Sequence, residues 1–194
     1  MSTISSKWLL IFTFLFASLT AFAQPMKGLF GSAPREFLLV NPKVQKELKL
    51  SAAQIKAIND AVGDSVSQQG GATRISIGPG TDLEQIITDL KKVPNGEQSK
   101  RLTELWIQKT GPTCLGNKDM AEKVGLSESQ QKQVKGILED MSEELQSLVM
   151  SSGGRVGPEK TTPLKDAANK KILALMNDKQ RKAFEGLKGK PFEF

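Results

Sequence analysis

With 194 residues, 38% of them hydrophobic and only 6% aromatic, the chain has room for one domain or two small ones around a thin Leu/Ile/Val core. It holds no histidine, no tyrosine and one cysteine, which removes the commonest general base, the commonest metal ligand, a thiolate zinc site and any internal disulfide. The formal net charge of +6 becomes +5 without Lys7, shared nearly evenly as +3 for residues 24–110 and +2 for residues 111–194, which favours acidic partners or anionic surfaces without selecting one.

Lys7 leads an apolar run from Trp8 to Leu19, and Ala21-Phe22-Ala23 forms a small-x-small cleavage site ahead of Gln24. Residues 1–23 are therefore expected to be a signal peptide, too short and wrongly flanked for a membrane span. No cysteine follows the cleavage site, so no lipid anchor is expected there. The mature protein is expected to be soluble and periplasmic or secreted, with no membrane span after signal cleavage.

Residues 24–34 read as a Gly/Pro-containing lead-in. Asn41-Pro42 has the pattern of a cap and first helical residue, opening a short helix with Val44 and Leu48. Leu50-Ser51 starts a longer one, with Ile55, Ile58, Val62 and Val66 on one face and Gly70-Gly71 as its stop. Thr81-Asp82-Leu83-Glu84 reads as a capping box before an apolar stripe of Leu83, Ile86, Ile87, Leu90 and Val93. After the turn at Pro94-Asn95-Gly96 a further helix carries Leu102, Leu105 and Trp106 and ends at Gly111-Pro112.

The second half follows the same plan. Asn117 caps a short helix with Met120 and Val124. Ser127 starts the longest one, with Val134, Ile137, Leu138, Met141, Leu145 and Leu148 at three- and four-residue steps and a stop at Gly153-Gly154. Thr162-Pro163 opens a helix with Leu164, Ala168, Ile172 and Leu175, and Asn177 caps the last, broken by Gly189-Lys190-Pro191. Phe192-Glu193-Phe194 is left as a tail. No convincing strand is seen, and the expected fold class is all-α.

Shifting the sequence by 76 residues lays Leu39, Asn41, Leu50, Ser51 and Gln54 on Leu115, Asn117, Leu126, Ser127 and Gln130. A shift of 82 lays Leu90, Val93, Gln98, Leu102 and Leu105 on Ile172, Leu175, Gln180, Phe184 and Leu187. These registers predict two helical repeat units, 24–110 and 111–194. Their common element is a helix start: Ser51 or Ser127 caps the first turn and the glutamine three residues on reaches back to the cap N–H. Asn177 with Gln180 is a looser copy, and at Val93–Gln98 only the apolar lead and the glutamine survive. Stripes this narrow suggest duplicated helical hairpins in a thin, extended or cradle-like bundle.

Little of this sequence carries chemistry. Cys114 falls on Leu38 in the first register, so it is expected to be a buried small hydrophobe. Glu139, Asp140, Glu143 and Glu144 cluster at helical spacing and read as a solvated acidic face; no metal site is expected. Lys170, Lys171, Lys179, Arg181, Lys182, Lys188 and Lys190 form a basic run with only Phe184 among them, which does not suit nucleic-acid binding. No catalytic residue, cofactor or enzyme activity is expected.

An exported all-α chain with repeated Leu-Ser-x-x-Gln helix starts resembles the Spy/CpxP family of periplasmic proteins, which carry an LTxxQ motif twice. The matching residues are Leu50, Ser51, Gln54, Leu126, Ser127 and Gln130, with weaker matches at Asn177 and Gln180, and the likeness spans roughly residues 38–188. Serine stands here for the family's threonine. The resemblance implies a thin helical cradle that holds unfolding clients without ATP or damps envelope-stress signalling. The family's metal-sensing branch relies on histidines that this chain lacks. Containing the unit twice, the chain is expected to form an internal pseudo-dimer as a monomer, or else a homodimer. Met141, Leu145, Leu148, Val149 and Met150 exceed what one core stripe needs and are the candidate client-binding residues, with Met26, Phe30, Phe192 and Phe194 as further ones. The alternative expectation is a regulatory or scaffold protein that binds one specific envelope partner.

Overall fold

The computed structural model describes residues 34–63, 66–69, 72–75, 82–153 and 156–194. The expected signal peptide, Met26, Phe30, Gly70-Gly71, Thr81 and Gly154 lie outside them. The described chain is helical, as its periodicities predict, with one exception. The elements are a 3-10 helix (Arg35–Val40), α1 (Pro42–Glu47), α2 (Ala52–Val62), a two-stranded ladder of β1 (Val66–Gln69) and β2 (Ala72–Ile75), α3 (Leu83–Lys91) and α4 (Gly96–Thr110). A second 3-10 helix (Gly111–Gly116) then leads into α5 (Lys118–Val124), α6 (Glu128–Ser151), α7 (Pro158–Leu175) and α8 (Asp178–Leu187).

Each half thus presents a 3-10 helix, a short helix and three longer ones in the same order, and both 3-10 helices are six residues long. Asn41 and Asn117 cap the short helices that follow, their side chains accepting from the N–H of Lys43 and Met120. The short helices close alike as well. Gly125 has φ +78 and Lys49, its counterpart in the register, has φ +51. The turn requires the left-handed conformation in both places, and only one of them has the residue that adopts it freely.

Two apolar clusters hold the halves. The first gathers Leu39, Val44, Ile58, Leu90, Leu102 and Leu105, and the second gathers Leu115, Val124, Val134, Ile172, Met176 and Phe184. Helix α4 serves both, because Trp106 and Ile107 turn into the second cluster while Leu102 and Leu105 face the first. The C-terminal tail crosses back in the other direction. Phe192 and Phe194 pack against the first cluster and meet edge to face at 5.0 Å. Gln108 of α4 holds that crossing: its amide donates to Lys188 O and, at 2.8 Å, to Lys190 O, and its Oε1 accepts from Phe192 N at 3.0 Å. Arg101 adds a bond to Lys190 O at 3.0 Å while paired with Glu47 and Glu104 at 2.8 Å each.

Four local expectations are corrected. Helix α2 ends at Val62, where Gly63 takes φ +47, so Val66 lies in a strand opposite Ile75 and the helix is over before Gly70-Gly71. Val66 and Ile75 are β-branched, and β-branched residues suit a ladder. Helix α3 is capped by Asp82, whose side chain accepts from Gln85 N at 2.9 Å, one residue later than the capping box read at Thr81. Helix α7 opens at Pro158 rather than at Thr162-Pro163, so Pro163 lies inside it. A proline one turn into a helix forfeits one backbone bond, a defect near the helix start that this eighteen-residue helix accommodates. Helix α4 has a full capping box on Asn95, where the sequence pattern shows only the apolar lead and the glutamine.

Candidate functional site

Four helices, α2, α4, α6 and α8, begin with a full capping box. The side chains of Ser51, Asn95, Ser127 and Asn177 accept from the N–H of Gln54, Gln98, Gln130 and Gln180, and each glutamine Oε1 accepts from the N–H of its own cap residue. The four glutamines also meet in two pairs. Gln54 Nε2 donates to Gln98 Oε1 at 2.7 Å, and Gln130 and Gln180 exchange amide bonds at 3.0 and 2.9 Å. Each Nε2 uses its other proton on a backbone carbonyl of the opposite helix start: Gln54 on Val93, Gln98 on Leu48, Gln130 on Leu175 and Gln180 on Gly125. Two donors and two acceptors are thereby satisfied on every amide.

The arrangement brings two helix N-termini together in each half, and the glutamine oxygens supply the negative ends that their exposed N–H groups attract. Glutamate would serve a capping box equally well but has no proton for the partner or for the carbonyl. The pairing therefore explains why the third helical position is glutamine in all four helices. Leu126, leading the third box, is buried, and Leu50, leading the first, is partly buried against the first cluster. The motif residues are structural nodes, as their capping pattern implies.

The five client-binding candidates lie on α6 but divide by exposure. Met141 is 6% exposed, so it belongs to packing and is removed from the surface set. Leu145, Leu148 and Val149 are half-buried, and Met150 is 74% exposed, the one large apolar side chain so placed among the described residues. Helix α6 has 24 residues where α2 has 11, so its last turns run well past the length of its counterpart. Met150 lines a shallow hollow there with Glu143, Gln146, Ser147 and Ser151. Phe192 and Phe194 are drawn instead onto the first cluster and held by α4.

Other side chains that sequence reading singled out are accounted for by packing or solvent. Cys114 is buried on the second 3-10 helix, and burial pushes its thiol up to about 12, with Lys188 opposing weakly. Such a thiol is protonated and inert at neutral pH. Glu139, Asp140, Glu143 and Glu144 are exposed, and Glu139 lies 3.7 Å from Lys135. Among the described residues no group of His, Cys, Asp or Glu is placed to hold a metal ion, and no helix is long and apolar enough to cross a membrane. Lys165 is a feature the sequence did not flag: its Nζ donates to Lys109 O at 2.8 Å, and burial, with Lys109 close by, lowers its pKa. Compared with protein-family models, with curated proteins and with solved structures, the chain finds no match.

Proposed function

We propose that the protein is an exported, ATP-independent holding protein that binds unfolded segments of other envelope proteins at the far end of α6. The observation that carries this reading is the exposure of Met150 beside half-buried Leu145, Leu148 and Val149, on turns that the shorter α2 lacks. A flexible thioether makes dispersion contacts with many side-chain shapes, which a binder of varied clients needs. The acidic side chains around it keep the isolated protein in solution. The repeated Leu-Ser-x-x-Gln starts, and the likeness to the Spy/CpxP family they carry, support the same reading. In it the two halves act as an internal pseudo-dimer, and no catalytic step is involved.

Photocrosslinking tests the contact surface. Benzoylphenylalanine placed at position 150 is expected to crosslink to two unrelated unfolding proteins, and the same group at Lys171, exposed on α7, to neither. Equal labelling from both positions, or none from position 150, would overturn the assignment.

A further inference from the structure

Between the two halves runs a groove of about 410 Å3, within the range of binding clefts. It is formed by Arg35, by α4 of the first half, and by α5 and α8 of the second. Half-buried Leu187 gives it an apolar floor, backed by the buried Ile107 and Met120, and three cations stand around it, Arg35, Lys100 and Lys123. Its one carboxylate among the described residues, Glu104, is already engaged by Arg101 Nη1 at 2.8 Å. Arg35 is ion-paired with the buried Glu36 at 3.0 Å and bonded to Thr103 at 2.6 Å, and three of its five N–H groups have no other partner among the described residues. Lys100 and Lys123 have no ion pair or hydrogen bond among the described residues. The lining is thus positively charged around an apolar strip.

From this we infer that the groove is a docking site for an acidic peptide segment of a partner protein, with carboxylates on Arg35, Lys100 and Lys123 and an apolar side chain over Leu187. The three cations come from three different elements, so a segment with several carboxylates engages all of them where a single small anion does not. Among the described residues no aromatic ring lines the groove, and a platform for stacking bases is absent from them. Gly186 of α8 leaves room at the wall: a Cβ added there meets no atom within 4 Å. The site is separate from the Met150 end, and its success or failure is independent of the holding activity.

The test is fluorescence anisotropy with a labelled nine-residue peptide of alternating glutamate and leucine, and with its glutamine–leucine counterpart. The acidic peptide is expected to bind at least tenfold more tightly at low salt and to lose most of that advantage in 0.5 M salt. The double variant Lys100→Glu/Lys123→Glu should weaken it at least tenfold, and Gly186→Trp, which builds into the groove from a helical site with free space, should abolish it with helicity unchanged. The control Lys170→Glu/Lys171→Glu, on the exposed face of α7, should leave it intact. Equal affinity for both peptides, no binding of either, or a loss as large in the control as in the groove variant would overturn the proposal.

Discussion

Gln130 and Gln180 donate to each other's side-chain oxygens at 3.0 and 2.9 Å, across 50 residues of sequence, while each also caps its own helix. Gln180 is 7% exposed, so its bonds are made largely out of water. Gln180→Ala should therefore cost about 1–3 kcal/mol, because it takes the side-chain partner from the Gly125 carbonyl and the Asn177 N–H and removes one bond from each end of the Gln130 amide, which keeps Leu175 O and Ser127 N–H. A double-mutant cycle with Gln130→Ala should return a coupling of about 0.5–3 kcal/mol. Gln180→Glu is the sharper variant, since it keeps the capping oxygen and removes only the donors. Urea midpoints should place it at least as low as Gln180→Ala at neutral pH, with partial recovery once the carboxyl is protonated.

The left-handed turn shared by Lys49 and Gly125 gives a prediction of opposite sign. Lys49 pays the Cβ penalty of that conformation, so Lys49→Gly should stabilise the protein by roughly 1 kcal/mol. Gly125→Ala should destabilise it by a similar amount. Thermal unfolding of the two variants should move in opposite directions.

Much of the helical plan was legible because it is local. Apolar spacing gave α1, α2, α5 and α6; the Ser-x-x-Gln starts gave the entry points of α2 and α6, and Asn41 and Asn117 gave those of α1 and α5. The errors sit where tertiary context decides. An antiparallel pair of strands, β1 and β2, follows a helix that Gly63 ends early, and the periodic pattern through Val66 hides that break. Pro163 looked like a helix start, yet the helix begins upstream of it. The glutamine pairs were out of reach for a different reason. A capping box is visible within four residues, whereas its second set of bonds joins Gln54 to Gln98 and Gln130 to Gln180 and depends on how whole helices are placed. The return of Phe192 and Phe194 to the first core is equally non-local. For the candidate apolar surface on α6, the spacing shows the helix but not the exposure that separates Met141 from Met150.

Cys114 should be silent toward a thiol reagent in the folded protein at pH 8 and react fully on unfolding. Its thiol ionises near 12 when folded and near 9.0 when free, so the unfolded chain releases the proton first. The stabilising contribution is complete below pH 9, and it is lost as pH rises from 9 toward 12. Cys114→Ala should consequently lose less stability than the parent chain across that window, measured by urea unfolding at each pH.

The tail contacts make the two halves depend on one another. Gln108→Ala removes the group that holds Lys188, Lys190 and Phe192, and Phe192→Ala with Phe194→Ala removes the apolar cover of the first core. Either change should raise amide exchange in the first half, around Leu102 and Leu105, more than around Val134 and Phe184. Loss of protection confined to the second half would contradict the crossing described here.

The most direct measurement of the holding activity is light scattering from two unrelated unfolding clients, with no nucleotide present, comparing the parent protein with Met150→Ser. The account predicts that the parent suppresses aggregation of both clients near stoichiometric ratios, and that Met150→Ser, at an exposed site where stability should change by less than about 0.5 kcal/mol, weakens suppression of both. A folded, helical parent that suppresses neither client would contradict it.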